Sequence, residues 1–82
     1  MMNALDRHIQ AREDLETAKR ALRAAARDLG EELKLLRKRQ GLTLRGAAAQ
    51  LGISAPFYND LELGNRNPNE ELTEKLRSLF YT

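Results

Sequence analysis

The stretch from Thr43 to Pro68, TLRGAAAQLGISAPFYNDLELGNRNP, leaves its chain few ways to fold. It holds two short helical patterns that meet at Gly52, and helices this short are not stable alone in water. Each must therefore pack on the other across a tight corner. Thr43 is placed to cap the first, which should run to about Gln50 or Leu51. Ser54 is placed to cap the second, and Pro56 falls in its first turn, where a missing N–H costs nothing. That helix should reach about Leu63 and stop at Gly64, with Asn65–Pro68 as a loop. Gly52 makes the corner with a left-handed backbone. Ala48 lies where the two helices cross, so it must be small. Leu51, Ile53, Tyr58 and Leu61 are spaced to face a common core. The outward face of the second helix is left as Ala55, Pro56, Asn59 and Asp60, the geometry with which a helix enters a major groove.

Both flanks read as helix. Asn3 to Leu29 lacks Gly and Pro and is rich in strong helix formers. Met1, His8, Leu15, Leu22, Leu29 and Leu36 recur every seven residues, and Ala4, Ala11, Ala18 and Ala25 fall three later. Leu on one seam and Ala on the other would let two helices approach closely. Leu15, Ala18, Leu22 and Ala25 are thus candidates for a dimer interface, and packing of this stripe on its own domain is the alternative. Gly30 admits two readings. Asp28 and Glu31 have the spacing of a capping box that would start a new helix, whereas the uninterrupted repeat from Leu29 to Leu36 favours one continuous helix. We favour a bend at Leu29–Gly30. Gly41 should end the next segment, after Leu33 and Leu36 inward and Lys34, Lys38 and Arg39 outward. Asn69 should cap a final helix carrying Leu72, Leu76, Leu79 and Phe80 at helical spacing.

At 82 residues the chain is one domain with an appended element, and at 5% aromatic and poor in β-branched residues it has an all-α composition. It contains no Cys, which removes disulfides and thiolate-bound metals. No apolar run approaches membrane-spanning length, and Asp6, Arg7 and His8 stand where a signal peptide needs an apolar core. The formal net charge of +2 argues weakly for a nucleic-acid partner, but its distribution is uneven. Lys34, Arg37, Lys38, Arg39, Arg45 and Arg66 are opposed between positions 34 and 66 only by Asp60 and Glu62. His8, the single histidine, lies on the heptad seam and has no partners for a metal site or a triad. Neither a phosphate-binding glycine loop nor an HExxH pattern is present, so neither an enzyme nor a cofactor is expected.

Leu29 to Leu79, about three-fifths of the chain, resembles the Cro/lambda-repressor-like helix-turn-helix regulators of the xenobiotic-response-element type. The matching pieces are LGEELKLLRKRQGLT, AAAQLGIS, SAPFYNDLELGNRNP and EELTEKL. The resemblance implies an all-α, lambda-repressor-like bundle of four to five helices that binds operator DNA as a dimer, here with an additional long N-terminal helix. It also implies a structural pair between Arg37, late in the first helix of the bundle, and Glu62, at the end of the recognition helix. Leu44 departs from the Gln common in the family, which removes one phosphate contact. Gly46 stands where an acid is common, and Ala47 is smaller than the usual residue there.

The expectations that follow are specific. Residues 1–28 form a dimerising helix and 29–82 the helix-turn-helix domain. Ala55, Pro56, Asn59 and Asp60 meet bases, with Asn59 suited to adenine and Asp60 to cytosine N4. Lys38, Arg39, Thr43, Arg45, Ser54, Asn65 and Arg66 meet the phosphate backbone. Double-stranded DNA and a second copy of the chain are the expected partners, in a cytoplasmic, nucleoid-associated setting. A rival class is a protein-interaction module, an antitoxin or anti-regulator, whose working surface is the N-terminal helix and for which DNA binding is secondary.

Overall fold

The computed structural model describes residues 3–82, so Met1 of the heptad series lies outside the described residues. Four helices follow in order: α1 (Ala4–Arg39), α2 (Leu44–Leu51), α3 (Ala55–Leu63) and α4 (Glu70–Phe80). There is no strand among the described residues. Each helix starts on a polar cap at which a side-chain oxygen accepts a backbone N–H. Asn3, Thr43, Ser54 and Asn69 accept from Asp6, Gly46, Phe57 and Leu72 at 2.8, 2.9, 3.2 and 2.8 Å.

The expected bend at Gly30 is absent, and α1 runs unbroken for 36 residues. Asp28 caps nothing, and Glu31 and Glu32 are mid-helix rather than in a first turn. The reason lies elsewhere in the chain. Gly30 is buried against the C-terminal end of α3, where a β-carbon would overlap the Glu62 carbonyl oxygen and stand 2.6 Å from that of Leu61. The glycine is needed for close approach, and the packing it permits outweighs the roughly 1 kcal/mol that glycine costs a helix. Gly64 completes the same junction from α3. Its φ of 79° ends that helix, and a β-carbon there would lie 2.7 Å from Arg27 Cγ. The backbones of α1 and α3 therefore meet directly between Arg27 and Gly30. α1 crosses the expected boundary at 28/29 without interruption, and Ala26, only 4% exposed, already belongs to the buried interior.

Leu33, Ala47, Ala48, Leu51, Tyr58, Leu61, Leu72, Leu76 and Phe80 form the core, with Leu29, Leu36 and Ile53 packed on its edge. At the corner Gly52 takes φ 71°, and Ile53 N–H donates back to the Ala48 carbonyl at 3.0 Å, which closes α2 and aims the chain into α3. Gln40 Nε2 donates to the Leu79 carbonyl at 2.9 Å and ties the end of α1 to the end of α4.

Residues 4–25 of α1 are exposed along their whole length. Leu15 and Leu22 are 54% and 55% exposed, and Ala4, Ala11, Ala18 and Ala25 are open as well. The alternative in which this stripe packs on its own domain is not what forms. The helix projects instead, giving the molecule a long dimension of 58 Å against 24 and 20 Å across.

Candidate nucleic-acid interface

The geometry of α3 is fixed from behind by one ion pair. Arg37 Nε and Nη2 donate to Glu62 Oε2 and Oε1 at 2.7 and 3.2 Å, and Nη1 donates to the Leu42 carbonyl at 2.9 Å. One guanidinium thus joins the end of α1, the turn before α2 and the last turn of α3. Both side chains are nearly excluded from water. The hydrogen bond to Glu62 raises the Arg37 pKa further, against the opposing effect of burial. Tyr58 is buried beside this pair, and its hydroxyl makes no well-formed hydrogen bond among the described residues. Burial first, and the Glu62 carboxylate second, push its pKa up.

On the outer side, α3 presents Pro56 fully and Asp60 partly. Ala55 is half-buried against the core edge, which limits what it offers outward. Asn59 is half-buried in a shallow recess of about 300 Å³ with Arg27, Glu31, Lys34, Glu62 and Leu63, so it lies on the side of α3 nearer α1. Leu63, 58% exposed, was not expected on this face. Its spacing of three to four residues from Asn59 and Asp60 was the signal that placed it there.

Arg66 folds back over α3. Its guanidinium carbon sits 4.6 Å from the centroid of the Phe57 ring, a cation–π distance, and its Nε lies 3.5 Å from Asp60 Oδ2. The ion pair is exposed on both sides and contributes at most about 1 kcal/mol. The arginine is aimed along α3 while its charge stays open to an incoming phosphate. Phe57 as its platform had no sequence signal beyond a half-buried position.

Thr43 and Ser54 are exposed at the N-termini of α2 and α3. Each hydroxyl oxygen accepts its capping N–H, which leaves the O–H free to donate outward. Lys38, Arg39, Arg45, Asn65 and Arg66 are all exposed, as is Lys34. The structure thus supplies two helix N-termini, polar hydroxyl donors and exposed cations. That is the donor set that anionic backbones are held by. Leu15, Ala18, Leu22 and Ala25 stand apart on the projecting half of α1. No group of His, Asp and Glu side chains able to hold a metal occurs among the described residues, and none of their helices is long and apolar enough to cross a membrane.

The family described as the helix-turn-helix domain matches residues 28–80. The chain is also similar to an HTH-type transcriptional regulator, DdrOP3, of Deinococcus deserti, at 40% identity over 52 residues. That alignment covers 63% of this chain and 40% of the regulator, so the chain spans about two-fifths of the relative's length.

Proposed function

Because the chain belongs to the helix-turn-helix domain family, we propose that it is a sequence-specific DNA-binding transcriptional regulator acting as a homodimer. The observation that carries this reading is the presentation of α3. It is braced from behind by Arg37–Glu62, opened at its N-terminus by the Gly52 turn, and flanked by exposed cations. In this reading α3 enters the major groove. Pro56, Asp60 and Asn59 meet base edges, with Ala55 at the margin. Thr43, Ser54, Lys38, Arg39, Arg45, Asn65 and Arg66 hold phosphates on either side. The exposed Leu15–Ala18–Leu22–Ala25 stripe joins two copies. Few charges lie on α3 itself, so affinity comes from the neighbouring cations and from engaging two half-sites at once.

Binding to an operator enriched by in vitro selection tests the docking. Asn59→Ala is expected to relax sequence preference by about 1–3 kcal/mol at one position. Arg66→Ala is expected to weaken all sequences and to lower the slope of affinity against salt by about one unit. Parent-like binding by both variants would refute it.

The dimer has its own test, because the seam residues are exposed in their own chain. The Leu15→Glu/Leu22→Glu variant should sediment as a monomer, keep the fold of the bundle, and melt at a lower temperature than the parent because the stabilisation from pairing is lost. A variant that remains dimeric would move the interface elsewhere.

A second reading draws on the same seam and on the absence of Lys and Arg from α3. In it the chain is a protein-interaction module, an antitoxin or anti-regulator, working through α1. Failure to retain DNA at low salt, together with stoichiometric capture of a partner through α1, would favour this second function.

A further inference from the structure

We propose that two copies pair through α1 in antiparallel orientation, in the register that sets Ala4 of each helix against the partner's Leu29. The proposal rests on the dimeric reading above and adds direction and register to it.

Three observations lead there. The first is how side-chain size is sorted along the seam. Leucines occupy one heptad position (15, 22 and 29) and alanines the other (4, 11, 18 and 25). In a parallel pair each layer meets its own copy, so leucine layers alternate with alanine layers. The leucines would hold the helices apart and leave gaps at every alanine. In an antiparallel pair every layer sets a large residue against a small one, which packs evenly at close range. Leu15 then faces the partner's Ala18, Leu22 the partner's Ala11, and His8 the partner's Ala25.

The second observation fixes the register. Beyond Leu22 and Ala25 the seam runs into an apolar recess of about 260 Å³ lined by Leu29, Pro68, Thr73, Leu76, Arg77 and Tyr81. With Ala4 opposite the partner's Leu29, the pairing uses the whole exposed stripe. It also carries Leu5, 67% exposed, to the mouth of the partner's recess. A shift by one heptad in either direction leaves the recess empty or drives the helix tip past it.

Charge supplies the third. This register places Arg7 beside the partner's Asp28 at both ends of the pair, and all four groups are exposed and make no ion pair among the described residues of their own chains. It also sets Arg12 near the partner's Lys19, where Glu16, 3.8 Å from Lys19, moderates the repulsion. A parallel pair sets Arg7 against the partner's Arg12 but also Asp14 against the partner's Lys19, so charge does not choose between the two directions. Size matching and the recess therefore decide the direction.

The chain has no native cysteine, so introduced ones report on geometry without background. Chains carrying His8→Cys and Ala25→Cys, made distinguishable by mass, are mixed and oxidised mildly, and Leu22→Cys is oxidised alone. The expected result is a mixed disulfide between positions 8 and 25, with no self-linked His8→Cys or Leu22→Cys dimers. In the antiparallel pair two copies of position 8 are about 25 Å apart along the axis, far outside disulfide reach. Self-linking at both 8 and 22 without the mixed product would overturn the antiparallel arrangement and leave the dimer standing. Sedimentation of the unmodified chain as a monomer would overturn the dimeric reading and this proposal with it.

Discussion

Arg37→Ala is expected to cost about 3–5 kcal/mol in urea unfolding, because it strands the Glu62 carboxylate in a site from which water is nearly excluded. Against the 5–15 kcal/mol typical of a whole domain, that removes between about a fifth and all of the stability. The loss should be specific to the half-removed pair. An Arg37→Met/Glu62→Leu double variant replaces both charges with apolar groups of similar volume and should recover most of the stability. The Leu42 carbonyl loses its donor in either variant, so recovery will stop short of the parent by about 1 kcal/mol. A single variant as stable as the parent would mean that the pair does not bind α3 to α1. DNA-binding measurements on Arg37→Ala would be misleading, since a change in the fold would look like a lost contact. The basic cluster between positions 34 and 66 therefore divides in two: Arg37 positions α3, and the exposed cations are the ones available to a ligand.

Gly30→Ala should destabilise by about 1–3 kcal/mol, although alanine is the best helix former and would add about 1 kcal/mol in an open helix. The obstruction is backbone. The new β-carbon would meet the carbonyl oxygens of Glu62 and Leu61, which cannot rotate away as a side chain can. The last turn of α3 must shift, and the Arg37–Glu62 geometry shifts with it. Gly46→Ala is the contrast, since its β-carbon would meet only side-chain atoms of Thr43 and Leu42 at 3.2 and 3.7 Å. It should stay within about 1 kcal/mol of the parent. Chemical denaturation of both variants checks the comparison, and a stabilised Gly30→Ala would show that α1 and α3 are not in backbone contact.

These two sites show where the sequence was readable and where it was not. The limits of α2, α3 and α4 were visible because their signals are local: Thr43, Ser54 and Asn69 each reach only three residues ahead to cap, and Gly52 and Gly64 close the turns behind them. The core positions followed from spacing, and Arg37–Glu62 from the family resemblance. Gly30 was misread because a glycine in a helical pattern has two uses with the same local appearance. The contact that decides between them comes from residues more than thirty positions away. The roll of α3 about its axis was likewise not legible in the sequence. Asn59 turns toward α1 and Ala55 toward the core edge because of how the helix is rolled, which only the packing of Tyr58 and Leu61 determines. Leu63 stands exposed in the same recess as Asn59, and Arg66 settled on Phe57 through a contact with no sequence pattern.

The unbroken passage of α1 through Gly30 turns the projecting half of the molecule into a ruler. In a continuous helix each residue adds about 1.5 Å, so separation from the bundle can be counted in amino acids. Removing seven residues between Asn3 and Ala25 would shorten the reach by about 10 Å and rotate the tip by only about 20°. Removing four would turn the seam by about 40° and misalign it. Length can thus be revised in units of one heptad while the bundle, its caps and its ion pair go untouched. In the proposed pair, the spacing between the two sites engaged is then an adjustable quantity, inherited separately from the surface that would recognise each one.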